Sequence, residues 1–251
     1  MKRENKSKNV YVNHRRNQWE KILETSENLF IKKGIDQVTI ADIAAESRLT
    51  RATIYQYFSN RKEIAFEIYK TIVSSWQGPA LVQLSSQVKT GFQRIENFLI
   101  SFLDYMMHSR REVSFVAEFN YLYGRQWETN QILQALGSLQ DVRETIVDCV
   151  RKGIRDGSMR SDLDPHLTMA AIFNLNSSLM GRLGEMGKTK LQSEFGLPAD
   201  QIISEIYRIF INGIKPYTES ASAKPLKARG TVCSRRASKR IETKGTSRPN
   251  N

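Results

Sequence analysis

Apolar residues recur at intervals of three and four along most of this chain, and each such run predicts an amphipathic helix. Asn17 to Lys33 carries Ile22, Leu23, Leu29 and Phe30, and Gly34 follows as a terminator with the freedom to take positive φ. Thr39 stands before Ile40, Ile43 and Ala44 with Asp42 three residues on, a capping-box pattern that starts a short helix running to about Glu46. Thr50 restarts a second short helix through Tyr57, and Asn60 with Glu63 starts a fourth, through Ile64, Phe66, Ile68 and Ile72 toward Trp76. Gly78-Pro79 reads as the first strong break. Beyond it the same period predicts helices over Thr90 to His108, Arg111 to Tyr123, Asn130 to Arg155, Pro165 to about Met186, and one opened by Pro198. Asp164-Pro165 pairs a cap with proline at the first helical position. No segment alternates as a strand does. The expected fold is all-α, with about nine helices: a small N-terminal helical domain on a larger C-terminal bundle.

Two short helices joined by a tight turn, the second with polar and basic residues at its start, make a helix-turn-helix that can enter the major groove. Ile43, Ala44, Leu49, Ile54 and Phe58 can share one small core, which leaves Arg51, Thr53, Tyr55 and Gln56 less constrained by packing. Arg51 has the forked donors that match O6 and N7 of guanine, and it can equally clamp a phosphate. Thr39 can cap its helix, bond a phosphate, or do both. Thr50, Ala52 and Thr53 are small enough to admit base edges or thymine methyls, Tyr55 can meet a base or sugar, and Gln56 can pair with adenine.

The segment VTIADIAAESRLTRATIYQYFSNRKEI resembles the DNA-binding domain of the TetR/AcrR family of bacterial transcription regulators. Thr39, Ala41, Ala44, Ala45, Thr50, Thr53 to Phe58 and Lys62 carry the resemblance, which extends over about residues 17 to 66. It implies that Tyr57 and Lys62 grip the phosphate backbone. It further implies double-stranded operator DNA as partner, a homodimer formed through the last two long helices, a palindromic operator, and a small-molecule effector bound by the C-terminal domain. One position departs from the family pattern. Arg48 stands where a glycine is usual, so either this residue bears strain or the turn is reshaped.

Charge refines the domain layout. Of the formal net charge of +12, residues 1–16 supply six Lys or Arg against one Glu, and residues 221–251 supply nine against one. The body between them is close to neutral. The expected layout is a flexible basic arm at 1–16, the DNA-binding domain at 17–76, a ligand-binding and dimerisation domain at 77–217, and a disordered basic tail at 218–251. Basic ends of this kind bind phosphate without sequence preference and raise salt dependence, or serve only solubility.

For the effector, Phe102, Met106, Phe119, Tyr123, Trp127 and Phe173 are candidate pocket residues, although aromatic residues at helical spacing also make ordinary core. Glu118 falls on an apolar face between Phe115 and Leu122, which calls for either a partner arginine or a cationic ligand. Cys149 reads as core or, less readily, as a redox-sensing thiol, and Cys233 lies in the tail. Catalysis is poorly supported. Ser59 to Lys62 matches S-x-x-K and Lys89-Thr90-Gly91 matches K-T-G, but S-D-N is missing and no strand carries the latter. The three histidines have no metal or triad spacing, and no nucleotide-binding loop is present, so no cofactor is expected. No apolar run is long enough to span a membrane and no signal peptide opens the chain, which points to the cytoplasm. The reading is a DNA-binding repressor released by a small molecule. The alternative is a ligand-independent DNA-binding or architectural protein of the same fold, regulated by a protein partner.

Overall fold

Capping side chains set where the helices of this chain begin. In the computed structural model, which describes residues 2–85, 89–124 and 137–217, with side chains placed for 13–85, 89–124, 139–184 and 192–217, nine helices are found among the described residues. They are α1 (Lys2–Lys33), α2 (Ile40–Ser47), α3 (Arg51–Tyr55), α4 (Arg61–Leu84), α5 (Gly91–His108), α6 (Arg110–Tyr123), α7 (Gly137–Arg155), α8 (Pro165–Phe195) and α9 (Ala199–Ile214). Thr39, Thr50, Asn60, Thr90 and Asp164 each accept a hydrogen bond from an amide in the first turn of the helix that follows. Gly34 ends α1 at φ +94° and Gly196 ends α8 at φ +66°.

The start of α5 shows how completely such an end can be satisfied. The Thr90 amide donates to Gln93 and the Gln93 amide to Thr90 Oγ1. The Gly91 amide donates to Asp156 and the Phe92 amide to Ser158, both from the turn after α7. The K-T-G triplet is therefore a helix cap and not part of a strand.

Three helices outrun their expected ends. α1 begins at Lys2, not Asn17, because residues 2–33 contain neither Gly nor Pro and nothing in the sequence stops the helix. The basic arm expected at 1–16 is thus, from Lys2, the first half of α1. α4 continues through Gly78-Pro79 to Leu84. Proline there removes one helical hydrogen bond, at a cost of about 3 kcal/mol, but the turn it sits in buries Gln77, Ala80 and Leu84. Tertiary burial outweighs local preference. α8 runs to Phe195, past Met186. The helix expected from Asn130 is seen from Gly137, and residues 130–136 lie outside the described residues. So does the tail at 218–251.

The continuous α4 changes the meaning of a boundary at 76–77. Its first half supplies Ile64, Ala65, Ile68, Tyr69, Ile72 and Val73 to a head core with α1, α2 and α3. Its second half supplies Ala80 and Leu84 to a body core with α5, α7, α8 and α9, and Trp76 packs against both. α6 is shared as well: Phe115, Val116 and Phe119 are buried in the head core. Its opposite side meets α8 so closely that a Cβ on Gly184 would stand 2.3 Å from that of Ala117. Residues 1–216 accordingly form one compact unit. Cys149 is core, with its thiol donating to the Leu84 carbonyl at 3.3 Å and pushed up in pKa by burial.

Candidate nucleic-acid interface

Ile43 and Ala44 of α2, Ile54 of α3 and Phe58 just after it are buried against Ile22, Phe30, Val38 and Ile64. That anchoring leaves one side of α3 in solvent. Thr50, Arg51, Ala52, Tyr55 and Gln56 are exposed, with Tyr55 at 56%. α3 is shorter than expected, five residues, with Gln56 as its C-cap. Thr53 is half-buried, and its hydroxyl lies 2.8 Å from that of Thr50.

Arg48 ends α2 at φ 53°, ψ 37°, the one non-glycine residue at positive φ among the described residues. The turn keeps its left-handed geometry and the arginine bears the strain, which decides between the two expectations. The geometry is held by the Arg48 and Leu49 amides, which donate to Ala45 and Ala44.

At the other end of α2, Thr39 Oγ1 donates to Asp42 Oδ2 at 2.6 Å and accepts from the Asp42 amide at 3.2 Å. The Thr39 amide closes the box on the same carboxylate at 2.8 Å. Hydrogen bonds from the Thr39 side chain and backbone lower the Asp42 pKa.

Tyr57 and Lys62 are half-buried and both are tied to neighbours. Tyr57 donates to Gln18 Oε1 at 2.8 Å, and the Arg15 guanidinium lies 5.7 Å from its ring. Lys62 Nζ stands 5.4 Å from the Tyr123 ring of α6. Arg61, which the motif does not single out, donates from Nη1 to the carbonyls of Val38, at 2.9 Å, and Asp36. It thereby pins the α1–α2 turn to α4. No spacing rule marks such a residue, because its acceptors are backbone atoms more than twenty positions away.

Glu118 holds the same turn from the opposite side. Its carboxylate accepts from the Ile35 amide at 2.7 Å, so the partner it has here is a backbone amide. Burial raises its pKa, the Ile35 bond opposes this, and Asp36 adds to the rise. Gly34 allows the approach, since a Cβ there would come within 3.1 Å of Glu118 Oε1. Arg111 adds a third tie from α6, donating to Asn28 of α1 at 2.7 Å.

Of the six candidate pocket residues that are described, all but Glu118 divide between the two cores. Phe102 and Met106 are buried in the body core, and Phe173 packs at its edge with the Arg143 guanidinium 5.0 Å from its ring. Phe119 and Tyr123 belong to the head core, where Phe119 stacks on Tyr69 at 4.5 Å. Glu118 serves the turn just described, and Trp127 lies outside the described residues. Helical spacing put Phe102, Met106 and Phe119 on buried apolar faces, but α6 gives its apolar face to the head.

A different apolar cleft, of about 120 Å³, lies between α8 and α9. Leu179, Leu183, Phe195, Ile202, Ile203 and Ile206 line it together with Arg182, which pairs with Glu194 at 2.6 Å. Around it Phe195, Leu197 and Ile209 are more than half exposed.

Among the described residues no helix is long and apolar enough to cross a membrane. A two-helix motif with a polar, exposed second helix, carried on an all-helical body, defines a helix-turn-helix DNA-binding regulator.

Similarity to known proteins narrows this class. Residues 22–68 match the family described as bacterial regulatory proteins, tetR family. The chain is 26% identical over 179 residues to the uncharacterised HTH-type transcriptional regulator YfiR of Bacillus subtilis, covering 69% of this chain and 83% of that protein. It is also 26% identical over 167 residues to the HTH-type transcriptional repressor KstR2 of Mycobacterium tuberculosis, covering 62% and 74%. Among solved structures, a TetR/AcrR-family regulator from Thermobifida fusca superposes with TM-score 0.59 at 18% identity, over 78% of this chain and 98% of that one. Residues 22–68 are thus matched as a TetR-family DNA-binding domain, and the chain shares the fold of TetR/AcrR-family regulators.

Proposed function

We propose that this regulator is a homodimeric repressor that reads a palindromic operator through α3 and is released by a small molecule. The observation that carries the DNA reading is the exposed face of α3, where Arg51, Ala52, Tyr55 and Gln56 stand clear of the core around a rigidly capped motif. Arg51 reads guanine, Thr50, Ala52 and Thr53 allow close approach, and Tyr55 and Gln56 contact bases or sugar. Thr39, Tyr57 and Lys62 meet phosphates and set the register. Thr39 does so by turning its hydroxyl hydrogen from Asp42 to a phosphate oxygen, while its oxygen still accepts from the Asp42 amide and keeps the cap. The relatives named as repressors support the sign of regulation.

One five-residue helix reads few base pairs, so specificity calls for two copies related by a twofold axis. The apolar cleft between α8 and α9 and the exposed Phe195, Leu197 and Ile209 beside it supply a surface for that pairing. For the effector, Phe102, Met106 and Phe173 in the body remain the proposed lining. Two structural relatives are named a ketosteroid transcriptional regulator and a fatty acid degradation regulator, which favours an apolar small molecule. Such a ligand releases DNA to the extent that it prefers the body conformation that mismatches the half-sites.

The test is a titration of the DNA upstream of the protein's own coding region, at two salt concentrations, with Arg51→Ala beside the wild type. Tight, sequence-selective binding that Arg51→Ala weakens by about 1 to 3 kcal/mol supports the reading. Equal, weak binding of both proteins to any duplex overturns it.

A further inference from the structure

We propose that Arg48, in the turn between α2 and α3, grips a phosphate of the bound DNA, at a position that the turn itself would fill best with glycine. The inference rests on the operator-binding reading above and adds to it a contact that the motif does not single out.

Three features of the turn point the same way. First, the backbone needs nothing from this side chain. Arg48 stands at φ 53°, ψ 37°, a conformation that glycine adopts freely and an L-residue only at a cost. The bonds that hold the turn come from the Arg48 and Leu49 amides, which donate to Ala45 at 3.3 Å and to Ala44 at 3.0 Å. A glycine amide would donate equally well. Second, the fold gains nothing through the guanidinium. Arg48 is exposed and forms no hydrogen bond, ion pair or ring contact among the described residues, although Glu46 stands exposed two positions before it. The arginines of the head divide cleanly on this point. Arg15 lies over the Tyr57 ring, Arg16 pairs with Glu20, and Arg61 donates to two carbonyls. Arg48 and Arg51, on either side of the Thr50 cap, form no such tie among the described residues. Third, the position is fixed beside α3. Ser47 is buried and Leu49 packs against the head core, so the residue between them is held. Arg48 is two residues before Thr50 and three before Arg51, hence at most about 7 and 11 Å from them along the chain. Strained residues gather where a ligand is met, and the ligand of this surface is DNA.

The place of Arg48 favours a phosphate over a base. It lies outside α3, at the end of the helix that crosses the backbone in a helix-turn-helix, whereas base edges are met from the N-terminal residues of the recognition helix. α2 rises about 12 Å over its eight residues, which is about the width of the major groove. Thr39 at its start and Arg48 at its end can therefore grip the two backbones that border the groove. Arginine suits the second grip, because its planar fork bonds two phosphate oxygens at once.

The experiment uses the full-length chain, so that both basic ends are kept, and compares wild type with Arg48→Gly, Arg48→Asn and Arg48→Lys. Asparagine is neutral and tolerates the left-handed conformation. Affinity is measured by anisotropy, between about 50 and 200 mM salt, for the selected upstream duplex and for a scrambled duplex of equal length. Urea denaturation of the same proteins follows the fold. Losing one phosphate contact lowers the slope of log affinity against log salt by about 0.9 per chain, which is about fivefold in affinity at about 0.15 M salt. The expected result is that loss in Arg48→Gly and Arg48→Asn, with the wild-type slope kept in Arg48→Lys. The ratio of selected to scrambled binding is kept throughout, since a phosphate contact carries no sequence information. Arg48→Gly should bind DNA more weakly while its urea midpoint stays equal or rises, a combination that a purely structural role does not produce. Unchanged affinity and slope in both neutral variants overturn the proposal. So does a loss of selectivity at an unchanged slope, which would make Arg48 a base reader, and so does a weaker affinity seen only in a variant of lower stability. Failure of the operator reading looks different: wild type and Arg51→Ala would then show no selectivity, while Arg48 would still be judged by its slope on the scrambled duplex.

Discussion

Arg48 shows what a single residue can cost. Its left-handed conformation is one that glycine adopts freely and that costs an L-residue about 1 to 2 kcal/mol. Arg48→Gly is therefore expected to stabilise the protein by about 1 kcal/mol, part of the gain being offset by the greater freedom of glycine in the unfolded chain. Urea denaturation measures this, and a drop in stability would show that the arginine side chain contributes more than its backbone costs. Glu118 makes a second residue-scale prediction, with a sign. Its pKa is raised in the fold, so the folded protein holds its proton more tightly than the unfolded chain does. This group then favours folding more as pH falls through the raised value, and its charge works against folding above it. Glu118→Gln keeps an acceptor for the Ile35 amide and removes the charge, so stability at pH 7 should be equal to wild type or higher. Glu118→Ala leaves the amide of the fully buried Ile35 without its acceptor, and should cost about 1 to 3 kcal/mol. If Gln is as damaging as Ala at pH 7, the carboxylate charge matters in a way this geometry does not explain.

At the scale of elements, the packing depends on places where helices come closer than side chains allow. A Cβ on Gly91 would stand 2.1 Å from the Gly153 amide nitrogen and 2.3 Å from the Cys149 carbonyl oxygen, both backbone atoms of α7. Gly91→Ala must therefore separate α5 from α7 and disturb the bonds from the start of α5 to Asp156 and Ser158. A destabilisation of about 2 to 3 kcal/mol is expected, read as a lower midpoint in thermal or urea unfolding. α6 is the second such element, since it contributes Phe119 to the head core and meets α8 at Gly184. A displacement of α8 cannot leave α6 in place without opening a gap in close-packed structure, and α6 holds the α1–α2 turn through Glu118. This gives a physical path by which a change in the body can reach α3.

For the whole molecule, the outstanding feature is an apolar surface on α8 and α9 that one chain does not cover. Ile209 is 61% exposed, so Ile209→Glu should leave the monomer folded while placing a charge in the proposed interface. Sedimentation is expected to show a shift from dimer to monomer, with operator affinity reduced by at least about tenfold because two half-sites are no longer read together. A variant that stays dimeric would move the interface elsewhere. A variant that becomes monomeric with full affinity would remove the palindrome from the functional reading.

What the sequence by itself determined were the features written in local chemistry. Caps at Thr39, Thr50, Asn60 and Asp164, the stop at Gly34 and an apolar period near 3.6 depend on neighbours within a turn or two, so they are legible without coordinates. The all-helical class and the helix-turn-helix followed from them, and the exposure of Arg51, Tyr55 and Gln56 followed from which faces Ile54 and Phe58 must bury. The tertiary structure decided what depends on distant partners. Pro79 stays inside α4 because the turn around it is buried in the body. Glu118 serves a backbone amide in the turn after α1, 83 residues away in the chain. Arg61 clamps carbonyls that no spacing rule connects to it. Phe119 and Phe102, alike in sequence, part company because α6 faces the head and α5 the body. Periodicity shows that a face is apolar; only packing selects what it is buried against.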